Sequence, residues 1–401
     1  MSTRNSSVGQ DRPSSAGLAA VAAVVVMIGL VGCNQVTWNK TFGGTAGEMG
    51  CSVQQTADGG YILGGAFTDG CWDVLLVKTD ADGNELWSKH LGQVAEDEYG
   101  ECVREIPDKG FIIAGHVGLS APDVDGLAIR TDPTGNELWS KAYGGDDEDE
   151  FFSVELTIGG GFIFAGATKA PGADHADAWL LKTDMDGNEL WTKTYGGTSR
   201  ELFNSVRQTS DGGFIMAGDT SSSGPFSNNA WLVKTDANGN WLWDQVFGGD
   251  DLDFARSAEE TADGGFIVAG QTQSFGAGYR DGWLIKTDAD GNELWSQTFG
   301  STEADSIESV HETSLGGYIL AGKTRSFGSG DNDLWLIKTD ASGLEVWQRR
   351  FGGAMGDIAL AVQETADLGF IVAGQTHTYG AGASDAWLIK TDSFGNAPLT
   401  P

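Results

Sequence analysis

The sequence predicts an all-β fold, a seven-bladed β-propeller of four-stranded blades in which the N-terminal strand completes the last blade. Three observations carry this expectation. A phrase of the form TDADGNELW returns along the chain, with closing tryptophans at Trp38, Trp87, Trp139, Trp191, Trp243, Trp295 and Trp347; after a first interval of 49 the spacing is 52 throughout. Each repeat holds four short apolar runs rich in Val, Ile, Phe and Trp, separated by Gly-rich turns, as in the fifth, where FARSAEET, FIVAGQT, DGWLIKTD and ELWSQTFGG follow one another. No stretch keeps helical periodicity.

A length of 401 residues would by itself suggest two or three domains. A period near 52 without an internal linker argues instead for a single closed array over residues 34–401. Runs such as DGWLIKTD do not alternate apolar with polar, so both faces of the strand need cover. Radial packing of small sheets supplies it. The Asp-x-x-Gly of each phrase makes the hairpin between third and fourth strands, with Gly providing positive φ, and the Trp fills the outer core between blades. The last copy reads TDSFGNAPL and lacks its outer strand, whereas VTWNKTF at 36–42 is an outer strand without a blade. Pairing the two closes the ring and removes two exposed edges.

Residues 1–33 read as a lipoprotein-type signal peptide. Arg4 and Arg12 precede the apolar run AGLAAVAAVVVMIGLVG, which is too short for a comfortable membrane span. Leu30–Cys33, LVGC, resembles the bacterial lipobox, which implies lipidation of Cys33, export to the cell envelope, and outer-membrane sorting through Asn34 where the host has such a membrane. The alternative is an ordinary signal peptide or anchor with Cys33 as a plain thiol. Trp38 follows Cys33 by five positions, so a lipid tether would hold the propeller rim close to the membrane. Net charge is −33, and loss of the leader makes it one unit more negative. Such a surface repels nucleic acid and anionic lipid.

The phrases TDxDGNELWxKxFGG and DGGFIVAGxT resemble those of tandem-repeat seven-bladed propellers found in secreted and lipoprotein-like proteins of bacteria and archaea, over residues 36–396. The segment is also similar to the repeat of quinoprotein propellers. That family's adjacent cysteines and cofactor floor have no counterpart here, so no quinone is carried over, and no other cofactor is implied apart from calcium.

Calcium enters through a series of acids placed ten or eleven residues after each Trp: Glu48, Glu98, Asp149, Glu201, Asp253, Asp305 and Asp357. They could rim the central channel and attract the cation, or cap backbone N–H groups between blades, a need every blade shares. A second series, Asp73, Asp125, Asp177, Asn229, Asp281, Asp333 and Asp385, opens the third strand; its one Asn favours hydrogen bonding. A third, Lys78, Arg130, Lys182, Lys234, Lys286, Lys338 and Lys390, each two positions before an Asp, suggests exposed local ion pairs at the turns.

Features confined to a few blades cannot be demanded by the blade itself. The loops after the second and fourth strands fall on one face. There blades 5 to 7 present Phe275, Phe327 and Tyr379 in Gly-rich loops beside Asp281, Asp333 and Asp385. An aromatic ring next to a carboxylate suits a sugar; alternatively each ring packs on its neighbouring blade. The same face carries acidic runs such as DDEDE at 146–150, which could recruit a basic partner or divalent ions. The five histidines share no repeat position, and no nucleophile elbow, phosphate loop or metalloprotease spacing occurs. An Asp-box glycosidase is disfavoured by Asp-x-x-Gly in place of Asp-x-Gly. Cys71 with Cys51 or Cys102 forms a candidate disulfide in an exported protein.

The lead expectation is a non-catalytic, envelope-anchored, monomeric binding or scaffold propeller that recognises a protein or glycan through the loop face. The alternatives are a carbohydrate-active enzyme with a close carboxylate pair and a structural propeller stabilised by calcium.

Overall fold

A computed structural model describes residues 35–92, 96–118, 124–223, 228–328 and 330–401. Cys33 and the leader lie outside the described residues. The described chain forms 28 strands, numbered β1 (Trp38–Phe42) to β28 (Asp385–Thr391), in seven four-stranded antiparallel sheets. Blades 1 to 6 span 47–91, 98–143, 149–195, 201–247, 253–299 and 305–351, each a simple meander. Blade 7 joins 357–391 to β1, which pairs with β28 from Trp38 opposite Lys390 to Phe42 opposite Ala386. The ring therefore closes as the unmatched first and last segments require.

Seven apolar clusters hold the ring, one at each blade junction. That between blades 4 and 5 joins Ile215, Ala217 and Leu232 to Ala255, Phe266 and Trp283. This explains the unbroken apolar runs: in the fifth blade every residue from Phe266 to Thr272 and from Asp281 to Thr287 is buried. Burying a Phe or Ile side chain is worth roughly 1.5–3 kcal/mol, so adhesion between blades rests on these strands.

Two sequence signatures acquire local causes. In the repeated turn, Asp80 Oδ1 accepts the N–H groups of Asp82 at 2.9 Å and Asn84 at 2.8 Å, while Asn84 Nδ2 donates to Asp80 Oδ2. Gly83 sits between them at φ 74°. Its bare Cα lies under Trp38 of blade 7, and the later turn glycines face Trp87, Trp139, Trp191, Trp243, Trp295 and Trp347 of the preceding blade. The motif Asp-x-x-Gly-x-x-x-Trp is thus one half of each of two contacts, and the tryptophans pack between blades as expected. The second signature, Ala-Gly in the second strand, answers a β-bulge in the inner strand. At Gly270 an added Cβ would stand 1.9 Å from the Phe254 carbonyl oxygen, so only glycine fits there.

Candidate functional site on the loop face

The seven acids stand at the blade junctions and are 0–4% exposed. Six of them accept an N–H from the loop four residues before: Gly44 to Glu48 at 3.1 Å, Gly145 to Asp149 at 2.8 Å, Gly197 to Glu201 at 2.9 Å, Gly249 to Asp253 at 2.9 Å, Ser301 to Asp305 at 3.1 Å and Gly353 to Asp357 at 2.9 Å. Asp253 also receives the hydroxyls of Thr272 and Ser274. Glu98 is buried in the same register. The second series meets the first across the glycine that opens each loop: an added Cβ on Gly300 would lie 2.2 Å from Asp281 Oδ1 and 2.6 Å from Asp305 Oδ2. Burial, with Asp305 nearby, raises the Asp281 carboxyl above its ordinary range. Among the described residues, no group of three or more His, Cys, Asp or Glu is arranged to hold a metal ion.

The lysine series differs from its expectation. Lys78, Lys234, Lys286 and Lys390 are 2–5% exposed, and they pair with acids of the first hairpin turn, Asp58, Asp211, Asp263 and Asp367, at 2.8–3.0 Å. Arg130 pairs with Asp108 in the same way. The ammonium also donates to a carbonyl, as Lys78 does to Thr79 at 2.9 Å. The partner lies about twenty residues upstream because the hairpin brings the two turns together. Burial alone would raise Asp58 and Asp211, but hydrogen bonds from threonine and lysine outweigh it and hold both at about 2; a hydrogen bond from Thr261 holds Asp263 at about 2. Blades 3 and 6 have no acid in that turn. Lys182 and Lys338 donate instead to the carbonyls of Gly160 and Gly316, and burial pushes both down to about 8.

Sequence reasoning missed two rings in the central channel, although each occupies a fixed offset from the junction acid. Six residues on stand Gln54, Arg104, Glu155, Arg207, Glu259, His311 and Gln363, which line a common cavity of 230 Å³. Glu155 lies 3.6 Å from Arg104 and 3.4 Å from Arg207, and His311 lies 3.1 Å from Glu259. The changing residue types hid the ring. One position further, Glu105, Gln208, Glu260, Glu312, Glu364 and Gln55 each accept a backbone N–H from the first turn of the preceding blade. The seventh member is Leu156, and the residue that would donate to it is Pro107, which has no N–H. Nearer the loop face, burial with Glu150 nearby pushes Glu101 up to about 8.

The loop face of blades 5 to 7 holds the remaining expected residues. Phe275, Phe327 and Tyr379 lie not on a neighbouring blade but over the third-strand tryptophans of their own blades, with centroids 5.5, 5.9 and 5.7 Å from Trp283, Trp335 and Trp387. Phe275 stays 46% exposed, whereas the other two are half-buried. Asp281, Asp333 and Asp385 are 1–4% exposed. Asp281 accepts the N–H groups of Ala277 and Gly278, and Asp385 that of Gly382. Around them Tyr279 is 68%, Met355 54% and Leu252 38% exposed. Between blades 6 and 7 opens a depression of 560 Å³, with Met355 and Ile358 as its apolar wall and Lys323, Asp331, Gln375 and His377 around it.

The proposed disulfide is absent: Cys51, Cys71 and Cys102 are free thiols. Cys71 lies exposed in a loop. Cys51 sits 3.9 Å from the Tyr99 hydroxyl, and buried Cys102 contacts Ser52 and the Val154 carbonyl, so packing along the inner strands engages both.

No protein-family model matches the chain. Regulatory protein FlaEY of Caulobacter vibrioides is 27% identical over 184 residues, covering 39% of this chain and 19% of that protein; the match thus spans under a fifth of that relative's length. Among solved structures, the WD40 domain of Neurospora crassa Pan2 superposes with a TM-score of 0.55 at 10% identity, over 92% of this chain and 97% of that domain. A protein of unknown function from Dyadobacter fermentans gives 0.51 at 11%, over 90% and 99%. At such identities the likeness speaks for the propeller fold alone.

Proposed function

We propose that the protein is a binding propeller that recognises a protein partner through the loop face of blades 5 to 7. The observation that carries this reading is the coincidence, on that one face, of the exposed side chains of Leu252, Phe275, Tyr279 and Met355 with the 560 Å³ depression, in loops whose sequences the blade does not dictate. Aromatic and Met side chains with an Arg close by, as Arg280 stands at 6.0 Å from the Tyr279 ring, suit the centre of a protein interface. A glycan fits less well: Asp281, Asp333 and Asp385 are buried and would offer little to sugar hydroxyls. The resemblance to a WD40 domain is in keeping with a platform of this kind.

The leader and LVGC favour export and lipid attachment at Cys33, which would set this platform on the envelope; Cys33→Ser should abolish incorporation of labelled palmitate. The binding reading is tested by quantitative co-isolation after cross-linking in the host, comparing the wild type with a Phe275→Ser/Tyr279→Ser/Met355→Ser variant. A defined partner lost from the variant at unchanged melting temperature supports it. A partner retained in full moves recognition to another surface.

A further inference from the structure

The junction that closes the ring differs in two ways from those that blades 4 to 7 make with the blade before them, and blade 2 shares both residue changes. In blades 3 to 7 the third strand carries a tryptophan, Trp179, Trp231, Trp283, Trp335 or Trp387, at most 7% exposed and packed into the junction with the preceding blade. Blades 1 and 2 have Leu75 and Leu127 in that register. Beside Leu75 the space stays open as a cavity of 280 Å³, walled by Phe42 of the closing strand and by the stacked pair Phe67 and His90, whose centroids are 3.9 Å apart.

The junction acid is altered too. In blades 4 to 7 a threonine opposite this acid donates its hydroxyl to it, Thr220 to Glu201, Thr272 to Asp253, Thr324 to Asp305 and Thr376 to Asp357. Opposite Glu48 stands Phe67, which has no donor. Glu48 lines the cavity, is 3% exposed, and its Oε2 has no hydrogen-bond partner. A buried, unpaired carboxylate oxygen is costly unless something satisfies it.

A polar residue also stands where the missing indole would be held, as Ser296, bonded to Glu293, does in blade 5. Three of the five tryptophans donate their ring N–H to the residue thirteen positions on, Thr192, Asp244 or Gln348, and Trp387 donates to Asn39 across the closure. Ser88 holds that position in blade 1, lines the cavity, and donates to Glu85 Oε1 at 2.8 Å, which leaves its lone pairs free to accept.

We propose that this seam cavity binds a flat aromatic ring that carries an alkylammonium group. The ring takes the space that a tryptophan fills in the other blades, between Leu75, Phe42 and the Phe67–His90 pair, with a ring N–H directed to Ser88. The ammonium group meets the Glu48 carboxylate, and Glu85 adds negative charge to the same cavity. The volume stands close to the lower bound, about 300 Å³, of small-molecule sites, which fits a bicyclic ring and excludes larger cofactors. The site lies on the rim between β1 and blade 1, apart from the loop face of blades 5 to 7, so it does not depend on the partner proposed above.

Isothermal titration of the full chain with tryptamine, indole and indole-3-acetate tests it. Tryptamine should bind saturably, indole about tenfold more weakly, and the acetate more weakly still. Leu75→Trp should reduce tryptamine affinity at least about tenfold while keeping or raising the melting temperature. Should that variant fail to fold, Glu48→Gln, which can still accept the Gly44 N–H, should bring tryptamine and indole to similar affinities. No saturation by tryptamine up to about 10 mM, equal binding of tryptamine and indole-3-acetate, or tryptamine binding untouched in a folded Leu75→Trp protein would overturn the proposal.

Discussion

The turn side of the ring and the loop side of blades 5 to 7 are built from the same strands but under different constraints. On the turn side, blades with an acid in the first hairpin use it to hold a buried lysine or a partly buried arginine, and blades 3 and 6, which lack the acid, substitute a glycine carbonyl. On the loop side, the junction acids repeat at every step, while the residues outside them change from blade to blade and leave apolar groups in solvent. Repetition marks what the scaffold needs. Departure from it marks where a ligand is free to shape the sequence.

The largest effect is expected at a repeated junction. Asp253 receives two loop N–H groups and two hydroxyls while 0% exposed, so Asp253→Ala should cost about 3 kcal/mol in denaturant unfolding. Glu48 receives the Gly44 N–H, and Glu48→Ala should cost about 1 kcal/mol. Equal losses at the two positions would break the comparison.

Acid comes next. Asp58, Asp211 and Asp263 are held at about 2 in the folded chain, below the unfolded value near 3.9. Their contribution is present above the unfolded value and is lost as pH falls through the folded one. The melting temperature should therefore drop between about pH 4 and pH 2, less so in a variant with all three changed to Asn. Lys182 and Lys338, pushed down to about 8, instead cost stability at neutral pH: the unfolded chain binds more protons between pH 8 and about 10.4, so this penalty is relieved as pH rises there.

A smaller effect sharpens the account of the inner ring. Pro107 and Leu156 replace an N–H and its acceptor together. Restoring both by Pro107→Ala and Leu156→Glu should show a favourable coupling of about 0.5–1 kcal/mol in a double-mutant cycle, and a coupling near zero would mean that solvent meets this need. The smallest effect expected is that of chelation. With the junction acids spent on N–H and hydroxyl groups, excess EDTA should leave the melting temperature unchanged, and a marked fall would return the ring to calcium binding.

Much of the fold was legible because one period governs it. The spacing of Trp38 to Trp347 fixed the number of blades, and the unmatched strand at 36–42 fixed the closure. The partners of the lysines were not legible, since Lys78 meets Asp58 through a fold-back and not through the neighbouring Asp80. The inner ring stayed hidden for a different reason: Gln54, Arg104, Glu155 and His311 share geometry without sharing chemistry. At the loop face the sequence located the aromatic residues but not their packing, because nothing local says that Phe327 and Tyr379 settle on Trp335 and Trp387. The vacancy beside Leu75 became readable only once its register with the other tryptophans was known.

The central claim, that recognition sits where the repeat is broken on the loop face, is tested most directly by site-specific photo-cross-linking in the host. A benzophenone side chain would replace Tyr279 or Met355 on that face, or Leu86 or Leu294, exposed at 58% each where the outer strands begin. The account predicts one adduct of defined mass from Tyr279 and Met355 and none from Leu86 and Leu294. An adduct formed only at the outer-strand positions would contradict it.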